Sequence, residues 1–365
     1  MKVAIIADPL DNQSAGVHVF TRELIAALLR IGKADDLILI RERYDPDSPI
    51  KQIVVPNIRL PIGFASLRLF FIVPFLLRRS GVEAVFEPAH FGPFNLPSRI
   101  KRLTMIHDLT PLIFPEHHRW HSQLLQRIFL RRILRRTDRV FTNSRHTSKD
   151  LVRFFPFCAK KNTAIYLGKS PIYKPVYQSG VLQEYGIDKP YFLNVGTIEP
   201  RKQGVTLLES FKLFCLKKQQ PYLLVLVGQK GWKTEAFDAA LEQHPYKDRI
   251  IQTGYVPLEH LPILYTHAQA LIYPSEYEGF GLPIIEALAC GTAVIAADNS
   301  SLREIGEGSA HFFPTGDATA LSKMMSEVIT ETDDHSAAYQ QHAAQYDWEH
   351  TARRFWEETE KVVKG

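Results

Sequence analysis

Cysteine is scarce. The 365-residue chain has three, Cys158, Cys215 and Cys290, far apart and without metal-ligand spacing. A sparse, odd count excludes a disulfide framework and suits buried thiols in a reducing compartment. Long apolar runs are missing too. The longest, Leu67 to Leu77, is interrupted by Arg68 and Pro74 and is too short to span a bilayer; it reads as a buried helix. The opening Met1-Lys2-Val3-Ala4-Ile5-Ile6-Ala7-Asp8 is too short and too soon interrupted for a signal peptide, so a cytoplasmic location is expected. No short internal repeat or low-complexity tract occurs. The full G-x-G-x-x-G fingerprint is absent after the first strand candidate, which argues against a dinucleotide cofactor.

What is present is an ordinary globular composition, 45% apolar and 23% charged. The length exceeds the roughly 250–300 residues at which single cores stop growing, so two domains are expected. The net charge of +5 hides an asymmetry. Residues 1–180 hold 28 Lys and Arg against 14 Asp and Glu, and the remainder holds 16 against 25. Apolar runs alternate with amphipathic ones, the pattern of parallel sheets covered by helices. Strand candidates in the first half are Val3–Ala7, Leu37–Ile40, Ile53–Val55, Ala84–Glu87, Leu103–Ile106 and Val140–Asn143. In the second they are Tyr191–Gly196, Tyr222–Gly228, Ile250–Gly254, Ala270–Tyr273, Ala293–Ala297 and His311–Phe313. The stretch Pro171 to Gly180 reads as a linker. The expectation is therefore an α/β protein with two Rossmann-like domains, 1–175 and 181–345, sharing a cleft beyond the carboxyl ends of their strands.

One stretch stands out: Ser275-Glu276-Tyr277-Glu278-Gly279-Phe280-Gly281-Leu282-Pro283-Ile284-Ile285-Glu286. It leaves a strand, passes a glycine-rich turn and enters a helix that Pro283 is suited to open. Gly279 and Gly281 let the backbone approach a ligand, and the free amides of a helix start favour an anion. Two carboxylates around an anion site make sense if the ligand also carries hydroxyls, as a nucleotide sugar does. On spacing alone, two Glu eight apart are better explained by chance and by ordinary dipole complementation.

Other stretches supply candidates. Gly16, at a helix start after the first strand, could offer main-chain amides to phosphate or simply make a turn. His107 closes a strand and could meet a sugar hydroxyl or a developing charge, or serve as a structural hydrogen-bonding group. Arg201 and Lys202, where a strand hands over to a helix, suit a diphosphate, a planar fork beside a point charge. Residues 119–139 hold seven Arg and one Asp. Leu124, Leu125, Ile128, Phe129 and Ile133 form an apolar stripe at helical spacing, with Arg127, Arg131, Arg135 and Arg132, Arg136, Arg139 on the other face. That face is either solvated or turned to anionic lipid headgroups or a lipid-phosphate acceptor. Nucleic acid is not expected, since the segment lacks interleaved aromatics and the other half is acidic.

Together, the Glu278-x7-Glu286 element, Gly196-Thr197-Ile198-Glu199-Pro200-Arg201-Lys202, Ile106-His107-Asp108 and Asn143-Ser144 resemble a family 4 glycosyltransferase over nearly the whole chain. Tyr346-Asp347-Trp348-Glu349 resembles the start of that family's C-terminal helix, so 346–365 is expected to cross back onto the first domain. The resemblance implies the GT-B fold and a retaining, metal-independent transfer from a nucleotide sugar, with no cofactor. It implies Glu286 on the ribose, Glu278 beside the donor sugar, and the amides of Phe280, Gly281 and Leu282, after Gly279, on the donor's hydroxyls and phosphate. It further implies Arg201 and Lys202 on the diphosphate, with Gly16 facing it, His107 on the donor sugar and Tyr255-Val256 flanking the base. Ser144, Gly196 and Glu199 fall among the implied substrate-binding positions. The Glu-Pro-Arg-Lys form looks most like bacterial mannosyltransferases using GDP-mannose, with a UDP-sugar as the alternative donor. The acceptor implied is a glycan or lipid-linked saccharide, met at the inner face of the membrane if the arginine face contacts lipid. A sugar-nucleotide epimerase or a silent sugar-nucleotide-binding subunit on the same fold is the alternative. Three departures from the family pattern are Gln203, where Asn is usual, Leu302-Arg303-Glu304, where Pro-Glu is usual, and a first loop with one glycine where many members have two.

Overall fold

The apolar runs become strands of two parallel sheets. The computed structural model describes residues 1–12, 16–56, 68–89, 95–115, 129–217 and 221–365. The chain forms two units, Met1–Gly168 with Asp347–Gly365, and Lys169–Tyr346. The stretch 171–180 thus belongs to the second unit.

The first unit has a seven-stranded sheet in the order β3-β2-β1-β4-β5-β6-β7. Its strands are β1 (Val3–Ile6), β2 (Leu37–Arg41), β3 (Lys51–Val54), β4 (Ala84–Glu87), β5 (Lys101–Ile106), β6 (Arg139–Thr142) and β7 (Asn162–Ala164). The central strands β1 and β4 are buried throughout, as both faces of a helix-covered parallel sheet require. The helix Gly16–Arg30 lies next to the last helix of the chain, Trp348–Lys364. Trp348 meets Phe20 at 6.0 Å between ring centroids, and Phe355 meets Phe86 at 4.7 Å. Asp347 caps this helix by accepting from the His350 amide at 3.3 Å. Gly168 is needed beside it, because a Cβ there would fall 2.2 Å from the Trp348 nitrogen.

The second unit has six strands in the order β10-β9-β8-β11-β12-β13. They are β8 (Tyr191–Val195), β9 (Leu223–Val227), β10 (Ile250–Gly254), β11 (Ala270–Tyr273), β12 (Val294–Ala297) and β13 (His311–Phe313). All pairings in both sheets are parallel. Four of the twelve expected strands, β4, β10, β11 and β13, have the bounds expected from sequence, and the other eight differ by a residue or two at their ends.

Three expectations need correction. Leu67–Leu77 is not a buried helix. Its described part is one π-type turn, Arg68–Ile72, running into a short helix, Val73–Leu77. Phe71 and Phe75 there are 60% and 53% exposed, while Arg68, the residue that broke the apolar run, is buried and clasps Asp8 with both terminal nitrogens. Arg139 opens β6 instead of extending an arginine helix, and pairs with Glu358 at 3.5 Å. Of the arginine-rich segment, the helix Arg131–Arg136 is described, with Ile133 and Leu134 buried and Arg131, Arg132, Arg135 and Arg136 exposed. Arg119, Leu124, Leu125, Arg127 and Ile128 lie outside the described residues. Finally, β7 was not foreseen. All three cysteines are free and buried.

Candidate functional site

Each sheet reverses its strand order once, between β1 and β4 in the first unit and between β8 and β11 in the second. Connections leave in opposite directions there and open a crevice at the carboxyl ends, where ligands of such sheets bind. In the second unit that crevice is built from the loops after β8 and β11.

The loop after β8 is held close to its neighbour. Gly228, after β9, has φ +141°, and a Cβ on it would fall 2.1 Å from the Gly196 oxygen. Only glycine permits that approach. The chain then makes a tight turn, Pro200–Lys202, and Gln203 takes the left-handed conformation at φ 54° before the helix Gly204–Lys217. Left-handed backbone favours Asn. Gln203 is compensated by side-chain bonds from Thr206 at 2.9 Å and to Glu276 at 3.3 Å.

This turn brings Lys202 over the end of β11. Its Nζ donates to Tyr273 Oη at 2.9 Å and to Glu278 Oε1 at 2.5 Å, and lies 4.9 Å from the Tyr273 ring centroid. Arg201 Nη1 lies 2.8 Å from the same Glu278 oxygen and donates to the Tyr277 carbonyl at 2.5 Å. Its Nη2 donates to Glu199 Oε1 at 2.5 Å. Glu199 is thus engaged in orienting Arg201. Ser300 and Ser301 fix the Glu278 backbone, Ser300 accepting from its amide at 3.0 Å and Ser301 donating to its carbonyl at 2.8 Å.

Burial alone would raise the Glu278 carboxyl. The Lys202 and Arg201 charges reverse this and hold it at about 2. Burial would likewise lower the Lys202 ammonium, but Glu278 wins and raises it. Tyr273 is pushed up to about 12, by burial first and by Glu278 second. At neutral pH the cluster is therefore a carboxylate gripped by two permanent cations.

Four residues after Glu278, the helix Leu282–Ala289 begins behind Gly281, whose φ is +105°. Leu282 is its first residue and Pro283 its second, one place later than expected. Glu286 Oε2 accepts from Tyr265 Oη at 2.9 Å, and Tyr173 also bonds the carboxyl. Burial pushes Glu286 up to about 7, against the pull of both phenols. Tyr173 comes from the stretch read as a linker, and neither it, Tyr265 nor Tyr273 was singled out from sequence. Phenols in a turn-rich stretch, a helix and a strand end carry no local signature; only the strand order brings them here. Gly279, Phe280 and Gly281 are buried between the two carboxylates, Val256 is buried, and Tyr255 is exposed after β10.

The first unit holds the other candidates. His107 follows β5, and its Nε2–H donates to the Pro88 carbonyl at 2.8 Å, with Phe20 edge-on at 4.9 Å. Ser144 is fully buried, and its Oγ caps the helix Arg145–Phe154 by accepting from the Thr147 amide at 3.0 Å. Gly16 opens the helix Gly16–Arg30 and is exposed. At the strand-order reversal lies a charge cluster that sequence reasoning missed. Glu87, ending β4, is buried near Asp8 and Arg68, and its Oε2 has no partner among the described residues.

These two doubly wound sheets, with the chain returning to the first unit in its last helix, define the GT-B fold. Solved structures agree. Sucrose-phosphate synthase from Thermosynechococcus elongatus superposes with a TM-score of 0.78 at 20% identity, covering 100% of this chain and 99% of that one. The Anabaena protein HepE, crystallised with UDP-glucose, gives 0.75 at 17% identity, over 99% and 100%. Family models match in both units, "Glycosyltransferase Family 4" over 14–169 and "Glycosyl transferases group 1" over 182–346. The chain belongs to the family 4 glycosyltransferases.

Among relatives, the O-antigen chain mannosyltransferase B of Escherichia coli is 34% identical over 222 residues, 59% of this chain and 58% of that protein. The O-antigen chain mannosyltransferase RfbU of Salmonella typhimurium is 24% identical over 351 residues, 93% and 94% of the two. The serotype-specific mannosyltransferase WbdA of Escherichia coli is 30% identical over 260 residues, 66% of this chain but only 30% of WbdA. The first and last of these matches thus span less than two thirds of the relative's own length.

Proposed function

We propose that the protein is a retaining glycosyltransferase that moves a hexose, mannose first among the candidates, from a nucleoside diphosphate sugar to a glycan or lipid-linked saccharide in cell-surface polysaccharide synthesis. GDP-mannose is the proposed donor. The observation that carries the reading is the convergence of Arg201, Lys202 and Glu278 at the strand-order reversal of the second sheet, with Glu286 one helical turn beyond. The mannosyltransferase relatives support the choice of sugar.

The chemistry asked of this site is departure of an anionic nucleoside diphosphate from a sugar carbon that gains oxocarbenium character. Arg201 and Lys202 are fixed in advance by Glu199, Tyr273 and Glu278. They meet the charge growing on the departing phosphate without reorganising, which is where such donors lower a barrier most. Glu278 has two tasks in this scheme. It holds the cations in place when no donor is bound, and it stands beside the sugar ring when one is. Glu286 accepts hydrogen bonds from the ribose hydroxyls. The acceptor oxygen bonds to the sugar carbon on the face the phosphate leaves, and the phosphate oxygen takes the acceptor's proton. Transfer then needs neither a bound metal nor a protein nucleophile. The proposed place of work is the cytoplasm, at the inner face of the membrane when the acceptor is lipid-linked.

A thermal-shift panel of nucleotide sugars tests this, since a ligand that binds only the folded state raises its apparent stability. GDP-mannose is expected to give the largest shift, and transfer of its sugar to require an acceptor and to keep the anomeric configuration. Efficient epimerisation without acceptor, or an inverted product, overturns the reading.

A further inference from the structure

The exposed face of Phe71 and Phe75 belongs to a groove of about 670 Å³ in the first unit, lined by Phe70, Phe71, Phe75, Arg78, Arg102 and Arg136 among others. Three features set it apart. Its rings are exposed where a globular surface usually hides them, and Leu76 beside them is also exposed. Its charges have one sign, with no carboxylate among its described lining residues. And Arg102, whose terminal nitrogens donate to the carbonyls of Leu96 and Arg136, has a buried Nε–H with no partner among the described residues. Arg79 adds a further cation, 5.3 Å from the Phe75 ring centroid.

Apolar rings alone would suit any hydrophobic partner, and arginines alone any anion. Both together suit an amphiphile with a phosphate at one end and a chain at the other. We propose that this groove docks the protein on a bilayer by seating the phosphate of an anionic phospholipid against Arg78 and Arg102 while Phe71 and Phe75 enter the acyl boundary. Aromatic rings and arginines side by side are what interfacial binding rewards, since it adds apolar burial to attraction by anionic headgroups. The helix Arg131–Arg136 continues the positive surface, because Arg136 is shared by both. The inference stands on this surface and extends the function proposed above, giving a lipid-linked acceptor a protein face that reaches it.

The test is co-sedimentation of the full chain with vesicles of phosphatidylglycerol mixed into phosphatidylcholine, and of phosphatidylcholine alone. The unaltered protein is expected to bind the anionic vesicles and to leave the neutral ones. Phe71→Ser with Phe75→Ser is expected to weaken that binding at least about tenfold, the scale of losing two inserted rings. Arg78→Gln is an exposed-residue variant that spares the fold, and about a fivefold loss is expected from one charge near the surface. Both variants should keep the nucleotide-sugar thermal shift, which separates this inference from the catalytic reading. Inorganic phosphate at vesicle-equivalent concentration should not displace the vesicles. Anionic-vesicle binding that survives both variants but is lost on Arg131→Gln with Arg132→Gln and Arg135→Gln would overturn the groove. So would equal binding to neutral vesicles, or none at all.

Discussion

Lys202 Nζ and Arg201 Nη1 converge on one oxygen, Glu278 Oε1, at 2.5 and 2.8 Å. Of the three N–H donors on Lys202 Nζ, two are spent among the described residues, on Tyr273 Oη and Glu278 Oε1, which leaves one on that side of the site. A diphosphate can take it up.

Glu278 therefore restrains these cations as well as serving them. Glu278→Gln should cut turnover while free nucleoside diphosphate binds as tightly as before or tighter, because the cations lose their competing anion. The same change strands two largely buried cations, a loss of about 3 kcal/mol of stability. Single-turnover transfer, nucleotide titration and thermal unfolding check the three parts.

Glu286 should impart a pH dependence to donor binding. Its carboxyl titrates near 7, above its ordinary 4.5. Ribose hydroxyls are better donors to the ionised form, so donor affinity should rise with pH through about 7 and flatten in Glu286→Gln. Tyr265→Phe removes a bond that lowers the value, so it should move the profile to higher pH. The stability consequence has the opposite sign. The folded state holds the proton that the unfolded state releases, so this contribution is complete below about 4.5 and is lost as pH rises through about 7. Titration of nucleotide binding between pH 5.5 and 8.5, beside thermal melts, reads both.

Gly228→Ala should be costly although the residue touches no ligand in the proposed scheme. Its left-handed φ and the 2.1 Å approach to the Gly196 oxygen leave no room for a methyl group. The backbone must shift, at about 3 kcal/mol or more. Because Gly196 precedes the Arg201–Lys202 turn, donor binding should fall with stability. Calorimetry with and without nucleotide distinguishes this from a purely local loss.

Most of the fold was legible because parallel strands buried on both faces are continuous apolar runs, as Leu223–Val227 and Ala270–Tyr273 are. The strand β7 escaped because Asn162-Thr163-Ala164 is a half-buried sheet edge with no such run. Phe71 and Phe75 misled because an apolar run records composition, and burial depends on what the fold places over it. The cations and carboxylates of the site were legible because they lie in two short segments. Their phenol supports were not. Tyr173, Tyr265 and Tyr273 come from a turn-rich stretch, a helix and a strand end, and only the topology brings them to Glu286 and Lys202. Ser144 shows the reverse case, a motif residue whose hydroxyl caps a helix.

The central claim is that Arg201 and Lys202 stabilise the departing diphosphate. Steady-state transfer by Lys202→Ala, with GDP-mannose or whichever donor the panel selects, tests it most directly. The account predicts a fall of at least about 100-fold in kcat/KM, the scale of losing one charge-stabilising donor, in a protein that still folds. A near-normal rate would contradict it and move the phosphate site elsewhere.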